Sequence, residues 1–214
     1  MQDATQFIFQ IAILIFSVVI HEVSHGFAAL ALGDPTAKDA GRLTLNPFKH
    51  IDPFGSILLP ALSYLLGGFI FGWAKPVPYN PYNLRNQKWG SALVGAAGPA
   101  ANISIAVIFG LLIRFLPSLA GGLPGIFIFN FITIASAIAF LNLVLAFFNL
   151  VPIPPLDGSK LLFAVLPYQW RGVQFFLEQY GFFLLLIFIF FFSRWLFPIV
   201  LFSFRLLTGT FPFF

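Results

Sequence analysis

Long apolar runs separated by short polar loops set the organisation of this chain. The first runs from about Phe7 to Leu32 and ends at Gly33-Asp34-Pro35, residues that stop a helix. Two more cover about Trp89 to Phe115 and Phe127 to Leu150, and a last covers about Phe175 to Leu207. A hydrocarbon core of about 30 Å needs roughly 20 apolar residues as helix, so each run is long enough to span. The last is predicted either as one tilted span or as two short ones turning near Arg194. Residues 56–81, "SILLPALSYLLGGFIFGWAKPVPYNP", fit the pattern less well. Ile57 to Leu66 contains Pro60 and ends at Gly67-Gly68, after which "FIFGW" reads as strand. A run of about ten apolar residues suits a re-entrant segment better than a span. Such backbone must be covered by protein or line a wet cavity.

Composition agrees with a membrane protein. Of 214 residues, 59% are hydrophobic and 8% charged, where soluble domains carry about a quarter charged residues. The predicted fold is an all-α polytopic membrane protein with about four to six transmembrane helices and a re-entrant, partly strand-like segment after the first. It forms a single embedded domain over 1–214, with a core at about 7–165 and a C-terminal helical segment at about 173–208. The opening "MQDATQFIFQ" has Asp3 and no Lys or Arg, unlike a secretory signal, so the first apolar run is expected to be retained. The absence of Cys excludes disulfides, thiolate metal sites and a cysteine nucleophile. The net charge of +4 includes no basic run suited to nucleic acid. Nothing in the sequence specifies an oligomeric state.

Loop charges discriminate between two paths for residues 56–81. If the segment dips in and returns, Lys38, Arg42, Lys49, Lys75, Arg85, Lys88, Lys160 and Arg171 share one face, and Arg114 is alone opposite, the C-terminal run left aside. If it crosses, the same residues divide almost evenly. The positive-inside bias favours re-entry, makes the crowded face cytoplasmic and puts the N-terminus outside.

The candidate chemistry lies in "VVIHEVSHGFAAL", residues 18–30. His21 and His25 are four apart and share one helix face. Two imidazoles at that spacing can grip one Zn²⁺, and Glu22 beside them can take a proton from water on the metal. The plainer alternative is a pair of histidines bonding between helices with Glu22 protonated. Ionisable groups at this depth cost at least ~2.5 kcal/mol each and need partners, which weighs against chance. A catalytic zinc usually has a third protein ligand. Glu178, Asp34, Asp39 and Asp52 are available, but Asp157 in "NLVPIPPLDGSK" stands out at the end of an apolar helix. A turn or helix-capping Asp before Gly158 explains the residue equally well. His21 falls about 14 residues after Phe7, roughly 21 Å along the helix at 1.5 Å per residue. In the re-entrant topology the helix ending at Leu150 exits on the same side, so Asp157 and the histidines can meet. In the crossing topology they cannot.

The chain resembles the site-2 protease family of intramembrane zinc metalloproteases, in a short prokaryotic form without PDZ or CBS domains. Three motifs carry the resemblance: His21-Glu22-Val23-Ser24-His25, Gly98-Pro99-Ala100-Ala101-Asn102, and Asn149-x-x-Pro152-x-Pro154-x-x-Asp157-Gly158. The resemblance covers about residues 10–165. It implies that His21, His25 and Asp157 bind one zinc, that Glu22 is the catalytic base, and that the site lies in the membrane nearer the cytosol. It also implies a membrane-dipping β-hairpin, of which "GWAKPVPYN" looks like part.

Asn149 and Asn102 are candidates for orienting substrate or the oxyanion, or for bonding across helices. The run of Ala92, Gly95, Ala96, Ala97, Gly98, Ala100 and Ala101 reads as a packing face that lets backbones approach. His50 is an interfacial residue or an extra, regulatory ligand. Trp73, Trp89, Trp170 and Trp195 suit interface anchoring.

The expected function is therefore intramembrane zinc endopeptidase, hydrolysing bonds in or near transmembrane helices of substrate proteins in the plasma membrane. The unwound substrate would pair with "FIFGWAKPV" by strand addition. The rival is a metal-ion or proton transporter using the same His, Glu and Asp.

Overall fold

A computed structural model describes residues 2–58, 74–119 and 124–210. In chain order the helices are α1 (Gln2–Ala31), α2 (Thr36–Asp39), α3 (Gly90–Leu119), α4 (Gly125–Asn149), α5 (Gly158–Val165), α6 (Arg171–Ile187) and α7 (Leu196–Thr208). Among the described residues, four stretches are long and apolar enough to cross a membrane: Ile8–Ala31, Gly90–Leu116, Gly125–Asn149 and Tyr168–Thr208. The apolar runs become helices because in hydrocarbon every backbone N–H and C=O must be satisfied within the segment. Their outer faces remain apolar: Phe16, Ile108, Phe190 and Phe202 are all exposed, as side chains facing lipid should be.

α1 and α3 run antiparallel, since His21 lies by Gly98 while His25 lies by Val94. Ala29, Leu84 and Val94 pack together where α1 ends and α3 begins, and the Arg85 N–H donates to Leu32 O at 2.9 Å. The Lys75 N–H donates to His50 O, also at 2.9 Å. His50 and Lys75, which flank the path between them, are therefore neighbours. The path itself, and with it most of the expected re-entrant segment, lies outside the described residues.

The expected strand is not found in the part that is described. Residues 74–80 are extended but paired in no ladder. The Lys75 N–H is spent on His50 O, the Val77 N–H on Glu22 Oε2, and Pro76 and Pro78 have none. Residues 75–78 thus offer no free donor to an incoming strand, which removes this part of the expected strand-addition surface.

The fourth span corrects a boundary. Phe148 packs on Phe188, Phe140 on both Phe197 and Phe204, and Gly110 approaches Leu207. Leu185 joins Val151 and Leu156 at the site end, while Val200 and Phe204 join Ala106, Ile113, Ala135, Ala139 and Leu143 further in. The chain therefore crosses once between about 185 and 207, roughly 33 Å at 1.5 Å per residue. It bends at 188–195 through a π turn and a 3₁₀ turn instead of reversing near Arg194. The first half of α6 precedes the crossing.

Candidate metal centre

His21 and His25 stand one turn apart on α1, with ring centroids 4.7 Å apart and ring planes nearly perpendicular. Asp157 reaches them from the loop after α4. Its Oδ2 lies 3.1 Å from His21 Nε2 and 3.0 Å from His25 Nε2. All three side chains are buried. Asp157 can do this because α4 ends at the same end of the bundle as α1. The following Gly158 has no room for a side chain, since a Cβ there would overlap the carbonyl of Leu150. The reading of Asp157 as a helix cap fails: it precedes α5, but its side chain makes no capping bond.

The protonation pattern follows from the partners of the other ring nitrogens. His25 Nδ1 donates to Val94 O at 2.7 Å, and a carbonyl can only accept. His21 Nδ1 donates to Asn102 Oδ1 at 2.5 Å. Each ring thus presents its Nε2 to one oxygen of Asp157, and in a neutral ring that nitrogen carries the lone pair a metal ion needs. Lys160 Nζ donates to Asp157 Oδ1 at 3.0 Å and lies 5.4 Å from the Tyr79 ring centroid. Two ring nitrogens and a carboxylate oxygen converging this closely need positive charge between them, supplied by a metal ion or, without one, by a proton on a ring nitrogen. Two nitrogens and one oxygen are a donor set that suits Zn²⁺.

Gly98 supplies a second test of fit. A Cβ at this position would lie 2.5 Å from His25 Nε2 and 2.6 Å from His21 Nε2, so α3 leaves open the space the two nitrogens border. Of the small-residue run on α3, Ala92, Gly95 and Gly98 are buried and Ala100 is exposed, and at Gly98 the run also keeps the site clear. Gly95 lets α3 approach Lys160 and the backbone of Asp157.

Glu22 is half-buried, and its Oε2 accepts the Val77 N–H at 2.9 Å. His21, Glu22 and His25 offer ligand atoms within 4.8 Å of one another, which makes a second overlapping triad. Asp157 Oδ2 is the oxygen that faces both Nε2 atoms, whereas Glu22 Oε2 is engaged by the Val77 N–H.

Of the other candidates, Asn102 joins the cluster and two do not. The Asn149 amide nitrogen donates to Leu145 O of its own helix at 2.9 Å. His50 is buried in the 42–50 loop, where its Nε2 donates to Thr44 O at 2.9 Å, and it stands outside the ligand group. Sequence reasoning missed Asn142, Ser17, Val77 and Lys160. The signal for Asn142 was available, since it is a polar side chain inside the apolar α4.

Residues 126–191 match a family model described as Peptidase family M50. YwhC of Bacillus subtilis (strain 168), named as a zinc metalloprotease, is 39% identical over 174 residues, covering 81% of this chain and 76% of that protein. Rip2 of Mycolicibacterium smegmatis, also named as a zinc metalloprotease, is 32% identical over 198 residues, covering 91% of this chain and 72% of that protein. No solved structure matches the chain.

Proposed function

The chain belongs to peptidase family M50, and on that premise we propose that this zinc metalloprotease hydrolyses peptide bonds in or near the transmembrane helices of other membrane proteins. The observation that carries the proposal is the convergence of Asp157 with both imidazoles inside the bundle. His21 is ten residues from the end of α1, which puts the cluster roughly 15 Å deep at 1.5 Å per residue.

Peptide hydrolysis needs water, so the cluster must be hydrated from the nearer end of the bundle. His21, His25 and Asp157 would hold the zinc. When bound, zinc supplies a Lewis acid for the scissile carbonyl and makes water a stronger acid. Glu22 is the general base. With Oε2 held by the Val77 N–H, its Oε1 takes the water proton, and the carboxyl then delivers it to the leaving amine. Substrate helices hide their carbonyls in hydrogen bonds and must unwind locally to be cut. The basic loop residues favour a site end that faces the cytoplasm and an N-terminus outside, in the plasma membrane.

Glu22→Gln is the deciding variant. The purified protein is expected to keep about one zinc per chain, as a three-ligand site requires, and to stop cutting a transmembrane peptide that wild type cuts. A wild type that leaves the peptide intact and carries zinc into liposomes would establish the transporter reading instead, which the family assignment does not favour. Because the chain has no Cys, single cysteines at Lys88 and Ser118 report orientation cleanly. Residue 88 should label from the cytoplasm and residue 118 from outside.

A further inference from the structure

We propose that Asn142 on α4 is a positioning residue of the metal centre, acting through Asn102 to hold His21 in the tautomer that can bind a cation. Asn102 and Asn142 are fully buried, and Ser17 nearly so, at a depth where each polar group is costly unless partnered. The Asn142 Nδ2 donates to Ile138 O at 2.9 Å and to Ser17 Oγ at 2.9 Å. A backbone carbonyl only accepts, so Ile138 O decides which way the Asn142 amide is turned. The Asn142 Oδ1 must then face Asn102, whose Nδ2 donates to it at 2.7 Å and to Ser17 O at 3.4 Å. That turns the Asn102 Oδ1 towards His21 Nδ1, which must carry the hydrogen. His21 Nε2, facing Asp157 Oδ2, is then the ring nitrogen open to a cation.

The two histidines thus reach the same protonation pattern by different routes. His25 is set directly by a backbone carbonyl, Val94 O. His21 is set through two side-chain amides, either of which would undo the arrangement by flipping. Without Asn142, only the long 3.4 Å bond to Ser17 O opposes a flip of Asn102 that would present its NH₂ to His21 Nδ1. Nδ1 would then accept, Nε2 would carry the hydrogen, and the ligand atom would be blocked. Groups that orient a metal-binding His in this way typically contribute 10–100-fold to metal affinity. A bundle held together by the same bonds for packing alone would lose stability on mutation but leave His21 unchanged.

The inference rests on His21 being a zinc ligand, so His21→Ala is measured alongside. Full-length chains in nanodiscs are compared by zinc affinity, using competition with a chelator, and by thermal unfolding. Asn142→Leu is expected to weaken zinc binding roughly 10–100-fold. Asn142→Asp, neutral when buried among apolar groups, keeps a carbonyl to accept from Asn102 and should stay within about threefold of wild type. Ser17→Ala removes one acceptor but leaves Asn142 on Ile138 O, so it should lower thermal stability without changing zinc affinity. A folded Asn142→Leu that binds zinc like wild type overturns the proposal, as does an Asn142→Asp that loses as much as the leucine variant. Should Asn142→Leu fail to fold, ring ¹⁵N spectra of metal-free wild type decide, because the chain has only three histidines. His21 protonated at Nδ1 supports the relay; His21 protonated at Nε2 refutes it. If His21→Ala keeps its zinc, the ligand assignment is what fails.

Discussion

Gly98→Ala tests the geometry of the centre with one carbon atom. The added Cβ would stand 2.5 Å from His25 Nε2 and 2.6 Å from His21 Nε2, where ordinary contact begins near 3.4 Å, so the nitrogens must retreat by about 0.8–0.9 Å. Side-chain ends can often give way, but here each ring is also tied at Nδ1, to Asn102 and to Val94 O. Retreat therefore breaks a buried hydrogen bond or moves a ligand far beyond the ~0.2 Å that metal coordination tolerates. Misplacement by about 1 Å at a reacting centre is worth of order 100-fold in rate, and a similar loss is expected in zinc affinity. The roughly 1 kcal/mol that Ala gains over Gly as a helix former offsets part of the about 1–3 kcal/mol that a broken buried hydrogen bond costs, so the metal-free variant should melt within a few degrees of metal-free wild type. Zinc affinity comes from chelator competition, and folding from circular dichroism on the same samples. A variant that binds zinc at wild-type affinity and still cuts its peptide would show that the nitrogens do not border the metal site.

Four further outcomes follow from the same contacts. Asp157→Asn should release the zinc while the helices stay folded, since a neutral amide no longer offers an anion to the two imidazoles; metal analysis after gel filtration checks it. Lys160→Met removes the ammonium on Asp157 Oδ1 and should weaken zinc binding by about tenfold, with Lys160→Arg recovering part of the loss by the same titration. Gly158→Ala forces a side chain into the backbone of Leu150 and should lower the yield of folded protein, measured as the monodisperse fraction in detergent. Asp34 gives a pH signature. Burial would raise its carboxyl, but the Thr36 hydroxyl, the Asn83 amide and the backbone N–H groups of Asn80 and Thr36 outweigh that and lower it. A lowered folded value means that stability is whole above the ordinary Asp range near pH 4 and is lost as pH falls through the folded value. Wild type should therefore melt progressively lower on acidification in this range, and Asp34→Asn should melt lower at neutral pH with a flatter pH dependence.

Much of the molecule was already legible in the chain. Spans can be read from composition because lipid imposes one rule, that backbone polar groups be satisfied locally, and long apolar runs obey it in the same way wherever they lie. His21, Glu22 and His25 could be read as a unit because helical spacing alone puts them on one turn. Asp157 was different. Eight residues past a helix end, a carboxylate before glycine is as good a turn residue as a ligand, and only the antiparallel packing of α1, α3 and α4 brings its oxygen to both imidazoles. The single C-terminal crossing, the opening at Gly98 and the relay through Asn142 were likewise decided in three dimensions. Each depends on contacts between residues tens of positions apart, and local periodicity carries no information about which faces of separate helices will meet.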